Sequence, residues 1–328
     1  MAVSRGAAKD ALLIKEIAAP TPAPNEVLVR MHTSGINPSD IKVRIGAQGP
    51  MVADEVIVHN DGAGEILETG SDVSSFSVGQ RVWLFNVNRS ADGLSQGVSG
   101  TASQIIRVPQ EYVAALPENV SYESGACLGV PAMTAHRAVF CHGSVENKVL
   151  FIPGGAGSVG QLAVQMAKAA NAHVVTTVSS DAKQQIAHDA GADLVINYKE
   201  QSLKDELLKA YGQHGIDQIV DVDFAAHMQL IPELLKANGC VSAYASGSDL
   251  NPAIPYYPLM FRNMNLQLVF VYGMPDHAKK AAIVDINRFL SSGAISPRVD
   301  KVFELADAVA AHDYVESNTM IGNVVMGL

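Results

Sequence analysis

Val149-Leu-Phe-Ile-Pro-Gly-Gly-Ala-Gly-Ser-Val-Gly160 is the stretch that decides how this chain is read. A short apolar run ends at Pro153 and gives way to a turn with glycines at Gly155, Gly157 and Gly160, the spacing G-x-G-x-x-G. Gln161-Leu-Ala-Val-Gln-Met-Ala-Lys168 follows with helical periodicity, and His173-Val-Val-Thr-Thr-Val178 returns to an extended apolar run. Strand, turn, helix and strand in that order are the context in which this spacing reads as a dinucleotide-binding fingerprint. Glycine lets the backbone come close to a pyrophosphate. The first turn of the helix, Ser158, Val159 and Gly160, offers N–H groups without intrahelical partners at the positive end of the helix dipole. The same glycines would also suit a tight βα turn needed for packing alone. A P-loop is excluded, because no G-x-x-x-x-G-K-[ST] occurs.

Downstream of the fingerprint, short apolar runs (Leu194-Val-Ile, Ile219-Val, Val241-Ser-Ala-Tyr, Leu268-Val-Phe-Val) alternate with helical stretches. Such alternation predicts an α/β unit with a doubly wound parallel sheet. Ser202-x-x-Asp205 reads as a capping box, and Ala278 to Leu290 carries apolar residues at helical spacing. After Gly293 a proline-containing turn is expected to lead to another helix and a last strand, Gly322-Asn-Val-Val-Met. Upstream, from Val27 to Val113, the texture differs. Short β-rich runs (Glu26-Val-Leu-Val-Arg-Met, Arg81-Val-Trp-Leu-Phe, Gln104-Ile-Ile-Arg-Val) are separated by Gly, Pro, Asn and Asp clusters, as in an antiparallel barrel-like lobe.

A chain of 328 residues suggests two such lobes. The net charge of −10, with no run of five or more basic residues, argues against nucleic acid and anionic membrane as partners. Apolar stretches such as Leu266 to Tyr272 are far too short to span a bilayer, and charges at Arg5, Lys9, Asp10, Lys15 and Glu16 break any signal-peptide core, so a cytoplasmic protein is expected. Three cysteines, Cys127, Cys141 and Cys240, without a C-x-x-C, rule out a disulfide framework and a four-cysteine zinc lobe. The Leu266 to Tyr272 run, if it lies at a sheet edge, is expected to pair with its twin in a two-fold homodimer.

An NAD site places an acid at the end of the second strand, about 20 residues past the fingerprint, to bind the adenosine ribose. Here that strand ends Thr177-Val178-Ser179-Ser180, without a carboxylate. Ser179, Ser180 and Lys183 can instead donate to a ribose 2′-phosphate, which favours NADPH. Two other readings stay open: Ser179 or Ser180 as a helix cap beside a solvated Lys183, and Asp181 reaching a ribose hydroxyl, which would favour NAD. A short-chain dehydrogenase is excluded, since none of the nine tyrosines has Lys four residues on.

Three stretches, Gly125-Ala-Cys-Leu-Gly-Val-Pro-Ala-Met-Thr-Ala135, the fingerprint with Gln165 and Lys168 after it, and Asn37-Pro-Ser-Asp-Ile-Lys42, together resemble the medium-chain dehydrogenase/reductase superfamily. Within it they are similar to the zinc-free quinone oxidoreductase (zeta-crystallin-like) branch. The resemblance runs over essentially the whole chain. It implies a GroES-like β-rich catalytic domain from residues 1–121 completed by 274–328, a Rossmann domain over 122–273, and an active-site cleft at their junction, with loops such as 86–100 and 254–264 shaping the acceptor pocket. Where zinc-dependent relatives place their catalytic ligands, this chain has Asn37, Asn60 (His59-Asn-Asp-Gly-Ala-Gly64 against G-H-E-x-x-G) and Val130. Two amides and an isopropyl group do not make a zinc site, so no metal is expected. His59 next to the vacated position reads as a hydrogen-bonded core or cleft histidine.

Without a Lewis acid, alcohol oxidation becomes the harder chemistry, and hydride delivery from NADPH to a quinone or an enone becomes the expected one. By the resemblance, the hydrogen-bond donors to the oxygen that gains charge are Lys42 and Asn37, with Lys42 also readable as a surface lysine on a short helix. Quinone reductases of the family often carry Tyr in place of Lys42, whereas Lys occurs in enone-reducing relatives. The resemblance further places Thr134 against the nicotinamide, Tyr198 on the adenosine side and Asn323 at the nicotinamide end, each of which plain packing or turn chemistry would also explain. A cofactor-binding protein of little turnover, like the lens-crystallin relatives, is the competing reading, and a zinc alcohol dehydrogenase a third.

Overall fold

The structure is a computed structural model that describes residues 1–328 except Ala91, Asp92 and Leu94. That part of the 86–100 loop, on which an acceptor pocket is expected, therefore lies outside the described residues. The chain divides into two compact units, one of residues 132–282 and 292–295, the other of residues 1–131, 283–291 and 296–328.

The first of these carries a six-stranded, wholly parallel sheet in the order Asn265–Leu268, Leu235–Ala243, Ile216–Asp221, Val149–Ile152, His173–Val178, Leu194–Asn197. Counted along the chain from Val149 this is the order 6-5-4-1-2-3, the winding of a dinucleotide-binding sheet. Helices cover such a sheet on its faces, which is why its strands read as continuous apolar runs. In His173–Val178 only His173 is exposed. Phe151, Val175, Ile196, Ile219 and Val241 pack with Leu207, Phe224 and Ile231 in the core. The helix Leu203–Tyr211 starts as its sequence predicts, with Ser202 Oγ accepting from the Asp205 N–H at 3.4 Å, and stops at Gly212, whose φ of +70° suits glycine.

Two strand boundaries differ from expectation. The run Leu268-Val-Phe-Val is not a strand: pairing covers Asn265–Leu268 and ends where its neighbour ends, at Ala243, after which Val271–Gly273 forms a 3-10 turn. The strand at Val241 instead begins at Leu235, interrupted at the Asn238-Gly239 pair, where Asn238 has φ +62° and the register shifts.

In the other unit the 11-residue strand Glu26–Ile36 organises a seven-stranded sheet. It pairs along its length with Asp61–Thr69, by its first half with Ile105–Pro109 and by its second half with Asn323–Gly327, all antiparallel. Register shifts at Leu28/Val29 and Met31/Thr33 bend it enough to serve three partners. Arg81–Leu84 and Val113–Ala115 extend one side. Val27, Val29, Met31, Ile66, Val82 and Leu84 fill the core. Val299–Glu304, parallel to Asn323–Gly327, is a strand that the sequence reading did not anticipate. It is an edge strand that buries only Phe303, so it lacks the alternation by which strands are recognised.

The boundary at 131/132 falls later than the expected 121/122 because residues 122–131 are tied to the β-rich unit. Thr33 Oγ1 donates to the Tyr122 carbonyl at 2.7 Å, the Val130 N–H donates to Asp61 at 2.7 Å, and Ala126 and Cys127 pack on Val325. Residues 283–291 join the same unit, where Trp83 Nε1 donates to Asn287 and Asn119 to the Leu290 carbonyl. Among the described residues, no helix is long and apolar enough to cross a membrane.

Candidate active site

The three fingerprint glycines answer to different constraints. A Cβ on Gly155 would lie 2.2 Å from Thr176 Oγ1, and one on Gly160 would lie 2.1 Å from the Gly154 carbonyl oxygen. Both are required by packing of turn on strand and turn on helix. Gly157 is exposed, and a Cβ there would meet the Gly154 carbonyl only at 3.3 Å. The protein itself hardly demands a glycine at 157, whereas a group approaching the backbone from outside would. Gly157 is the N-cap of the helix Ser158–Ala169 and, lacking a side chain, provides no cap. The first turn, Ser158 to Gly160, presents backbone N–H groups, for which an α-helix has no acceptors of its own, at the dipole's positive end. This cradle fits a pyrophosphate.

At the end of His173–Val178 the structure brings two expected residues together: Lys183 Nζ donates to Ser179 Oγ at 3.2 Å. Ser180 stands at the N-cap of the helix Asp181–Asp189, the capping position that the alternative reading gave it, with Asp181 in the first turn, but its hydroxyl is not spent on a capping bond. Tyr198 follows the neighbouring strand Leu194–Asn197 and donates its N–H to the Val178 carbonyl at 3.1 Å. That backbone bond holds it at the strand end that also carries Ser179, with its ring half-exposed beside the Lys199 ammonium. Thr134 is buried in the first turn of the helix Met133–Phe140.

In the β-rich unit, the helix Pro38–Arg44 begins at Asn37 and carries Lys42 in its last turn. The two expected donors differ sharply in setting. Lys42 is exposed, whereas Asn37 is buried and its Nδ2 donates to Asp61 Oδ2 at 2.8 Å. Asp61 Oδ2 also takes the Val130 N–H, while Asp40 takes the Asn37 N–H at 2.8 Å and the Asn60 side-chain amide at 3.1 Å. Asn37, Asp40, Asn60 and Asp61 therefore form one buried amide–carboxyl net. Burial pushes the Asp61 carboxyl up to about 8, and Asp40 to about 6, against the bonds that favour their charged forms. Asp61 Oδ2 takes two donors, while Oδ1 is buried without a partner. Asn323 uses its amide to hold the Arg298 carbonyl at 2.9 Å, a turn-fixing bond.

The three positions where zinc would need its ligands are occupied by this net. The Asn37 and Asn60 amides are bonded to carboxyls, and Val130 contributes only its N–H. The residues present do not fit a zinc ion. Among the described residues, no group of three or more His, Cys, Asp or Glu could hold a metal. His59 has φ +75°, in the position where the motif G-H-E-x-x-G has its first glycine, and its side chain turns inward to bond Ser34 and His312. It is a hydrogen-bonded core histidine, as expected. Asp40, Asp61, Ser34, Thr101 and His312 were not singled out by sequence. The one available signal was the acid in Asn60-Asp61-Gly62, opening a strand.

Residues 23–118 match the alcohol dehydrogenase GroES-like domain, and residues 158–286 match the zinc-binding dehydrogenase family. A quinone oxidoreductase from Sus scrofa is 26% identical over 318 residues, covering 96% of this chain and 92% of that protein. The structure of Escherichia coli quinone oxidoreductase complexed with NADPH is similar, with a TM-score of 0.84 at 23% identity over 99% of this chain and 98% of the other. An NAD-dependent alcohol dehydrogenase is similar too, with a TM-score of 0.87 at 23% identity over 100% and 99%. The fold is thus shared by proteins described with either nicotinamide cofactor. Matched in both units by dehydrogenase domains and over nearly its whole length by quinone oxidoreductases, the chain belongs to the medium-chain dehydrogenase/reductase superfamily, in its quinone oxidoreductase branch, and is an NAD(P)H oxidoreductase.

Proposed function

We propose that this protein transfers hydride from NADPH to a quinone or an α,β-unsaturated carbonyl, without zinc. The observation that carries this reading is the buried net of Asn37, Asp40, Asn60 and Asp61, which stands where a metal would require cysteine and histidine. Bound NADPH supplies the hydride. The residues that would hold it are Gly157 and the first turn Ser158 to Gly160 for the pyrophosphate, and Ser179, Ser180, Lys183 and Tyr198 for the phosphorylated adenosine. Thr134 and Asn323 are assigned to the nicotinamide end, Asn323 by fixing the turn at Arg298.

An electron-poor acceptor needs no Lewis acid to take a hydride, only a hydrogen bond to the oxygen on which charge accumulates. Lys42 is free to give it, being exposed on its helix. Asn37, buried with its side-chain amide held by the Asp61 carboxyl and its N–H by Asp40 at the start of the helix, is assigned as the weaker donor.

Binding of the two cofactors tests the adenosine assignment. NADPH is expected to bind at least about tenfold tighter than NADH, roughly 1.4 kcal/mol of phosphate recognition. Lys183→Ala should weaken NADPH far more than NADH in the same titration. Equal dissociation constants for the native protein, or equal losses in the variant, would leave Lys183 as a fold-supporting residue only.

The partner we assign is a second copy of the chain. Asn265–Leu268 is an edge strand with Leu266 and Leu268 exposed along it and Phe270 exposed just beyond, an open edge that invites pairing. Light scattering at micromolar concentration should give the mass of a dimer; a single-chain mass would refute the pairing. The three cysteines are all free, as a cytoplasmic residence would have them.

A further inference from the structure

The β-rich unit contains a cavity of about 430 Å³ that the reaction above does not use. Its size falls within the roughly 300–1,000 Å³ of small-molecule sites. Ile14, Ile17, Val58, Val309 and Met326 contribute to an apolar lining, and His312 forms part of the wall. Ile14 and Ile17 are about half exposed, at 54% and 45%, so the cavity leaves apolar surface in water. His312 is fully buried, and its Nδ1 has no hydrogen-bond partner.

The hydrogens of this corner can be placed one by one. Thr101 Oγ1 donates to the Asp61 carbonyl at 2.6 Å, because a carbonyl cannot donate. Its only hydrogen is then spent, so in the 2.8 Å contact of Ser34 Oγ with Thr101 Oγ1 it is Ser34 that donates. Ser34 in turn must accept from His59 Nδ1, 2.8 Å away. A neutral His59 with its hydrogen on Nδ1 has a lone pair on Nε2, and this accepts from His312 Nε2 at 2.9 Å. Burial, with the Arg44 guanidinium adding to it, pushes His312 down to about 3, so it too is neutral. The chain of bonds thus leaves His312 Nδ1 as a bare acceptor. Because the chain ends on a backbone carbonyl, it orders this tautomer and carries no proton onward.

We infer that this cavity binds a small apolar molecule bearing one hydroxyl or N–H group, which donates to His312 Nδ1. The complement is specific: an apolar body for the isoleucines and Val309, and one donor for an acceptor that would otherwise stay unsatisfied. His312 Nδ1 is closed to water as the cavity stands, so seating the donor requires the lining to shift, and residues 13–19, which line it and belong to no helix or strand, are the segment we assign to that shift.

Calorimetric titration of the full chain with 2-naphthol and with 2-methoxynaphthalene, which has the same ring and no donor, tests this. The native protein should bind 2-naphthol about tenfold tighter or more, the consequence of satisfying a buried acceptor. His312→Phe keeps the ring volume and removes the Nδ1 acceptor, so it should erase the preference. Val309→Phe fills the cavity and should abolish binding of both probes, with thermal unfolding confirming that each variant is folded. Equal affinity of the native protein for the two probes, no binding of either, or binding unchanged by Val309→Phe would overturn the inference.

Discussion

Lys42→Ala is expected to lower kcat on an enone by about 10²–10³, the usual worth of a donor aimed at developing oxyanion charge, while NADPH affinity stays unchanged. The two assigned donors differ in setting, and the expected loss follows from assigning the role to Lys42. Lys42 is exposed, whereas the Asn37 amide is tied to Asp61 in a buried net. An ortho-quinone, which accepts hydride more readily, needs less help at oxygen, so its kcat should fall less. Steady-state rates on both acceptors, with the cofactor titrated separately, give the comparison. Unchanged kcat on both would return Lys42 to the role of a solvated surface residue, leaving Asn37 or solvent as the donor.

A second large effect is expected at the glycine turn, where two glycines that look alike in sequence should behave differently. Gly157→Ala should leave thermal stability within about 0.5 kcal/mol, as for other exposed substitutions. The added Cβ meets its nearest protein atom at 3.3 Å. NADPH binding should nevertheless fall about 10²-fold, the equivalent of losing two charge-assisted bonds of roughly 1.5 kcal/mol each. Gly160→Ala drives its Cβ to 2.1 Å from the Gly154 carbonyl. It should therefore cost stability itself, about 1–3 kcal/mol by overpacking. Thermal unfolding and cofactor titration of both variants separate the two roles. Normal NADPH affinity in Gly157→Ala would mean that the turn holds no pyrophosphate.

The glycine turn was legible in the sequence because its constraints are local: a strand, a turn without side chains and a helix lie within about a dozen residues. Lys183 beside Ser179 was legible for the same reason, four residues apart across the start of one helix. What escaped was set by distant partners. The strand Asn265–Leu268 ends at Leu268 because its neighbour ends at Ala243, which no reading of Leu268-Val-Phe-Val could reveal. Val299–Glu304 escaped because an edge strand with one buried residue has no alternation to detect. The buried net at the site joins Asn37 to Asp61 and Asp61 to Val130, and His59 meets His312 across 253 residues. Spacing rules do not reach such pairs. At Asn37 and Asn60, by contrast, residue type alone showed amides, and the structure adds that each is bonded to a carboxyl.

The most direct measurement is NADPH oxidation by the purified protein, followed across ortho-quinones, para-quinones, alkenals and cyclic enones, before and after exhaustive chelation, with zinc counted in the same sample. The predicted result is turnover of at least one quinone or enone that chelation leaves unchanged, with less than about one tenth of a zinc per chain. Stoichiometric zinc whose removal abolishes activity, or NADPH binding without turnover of any acceptor, would contradict the proposal that Asn37, Asn60 and Val130 mark a zinc-free reductase.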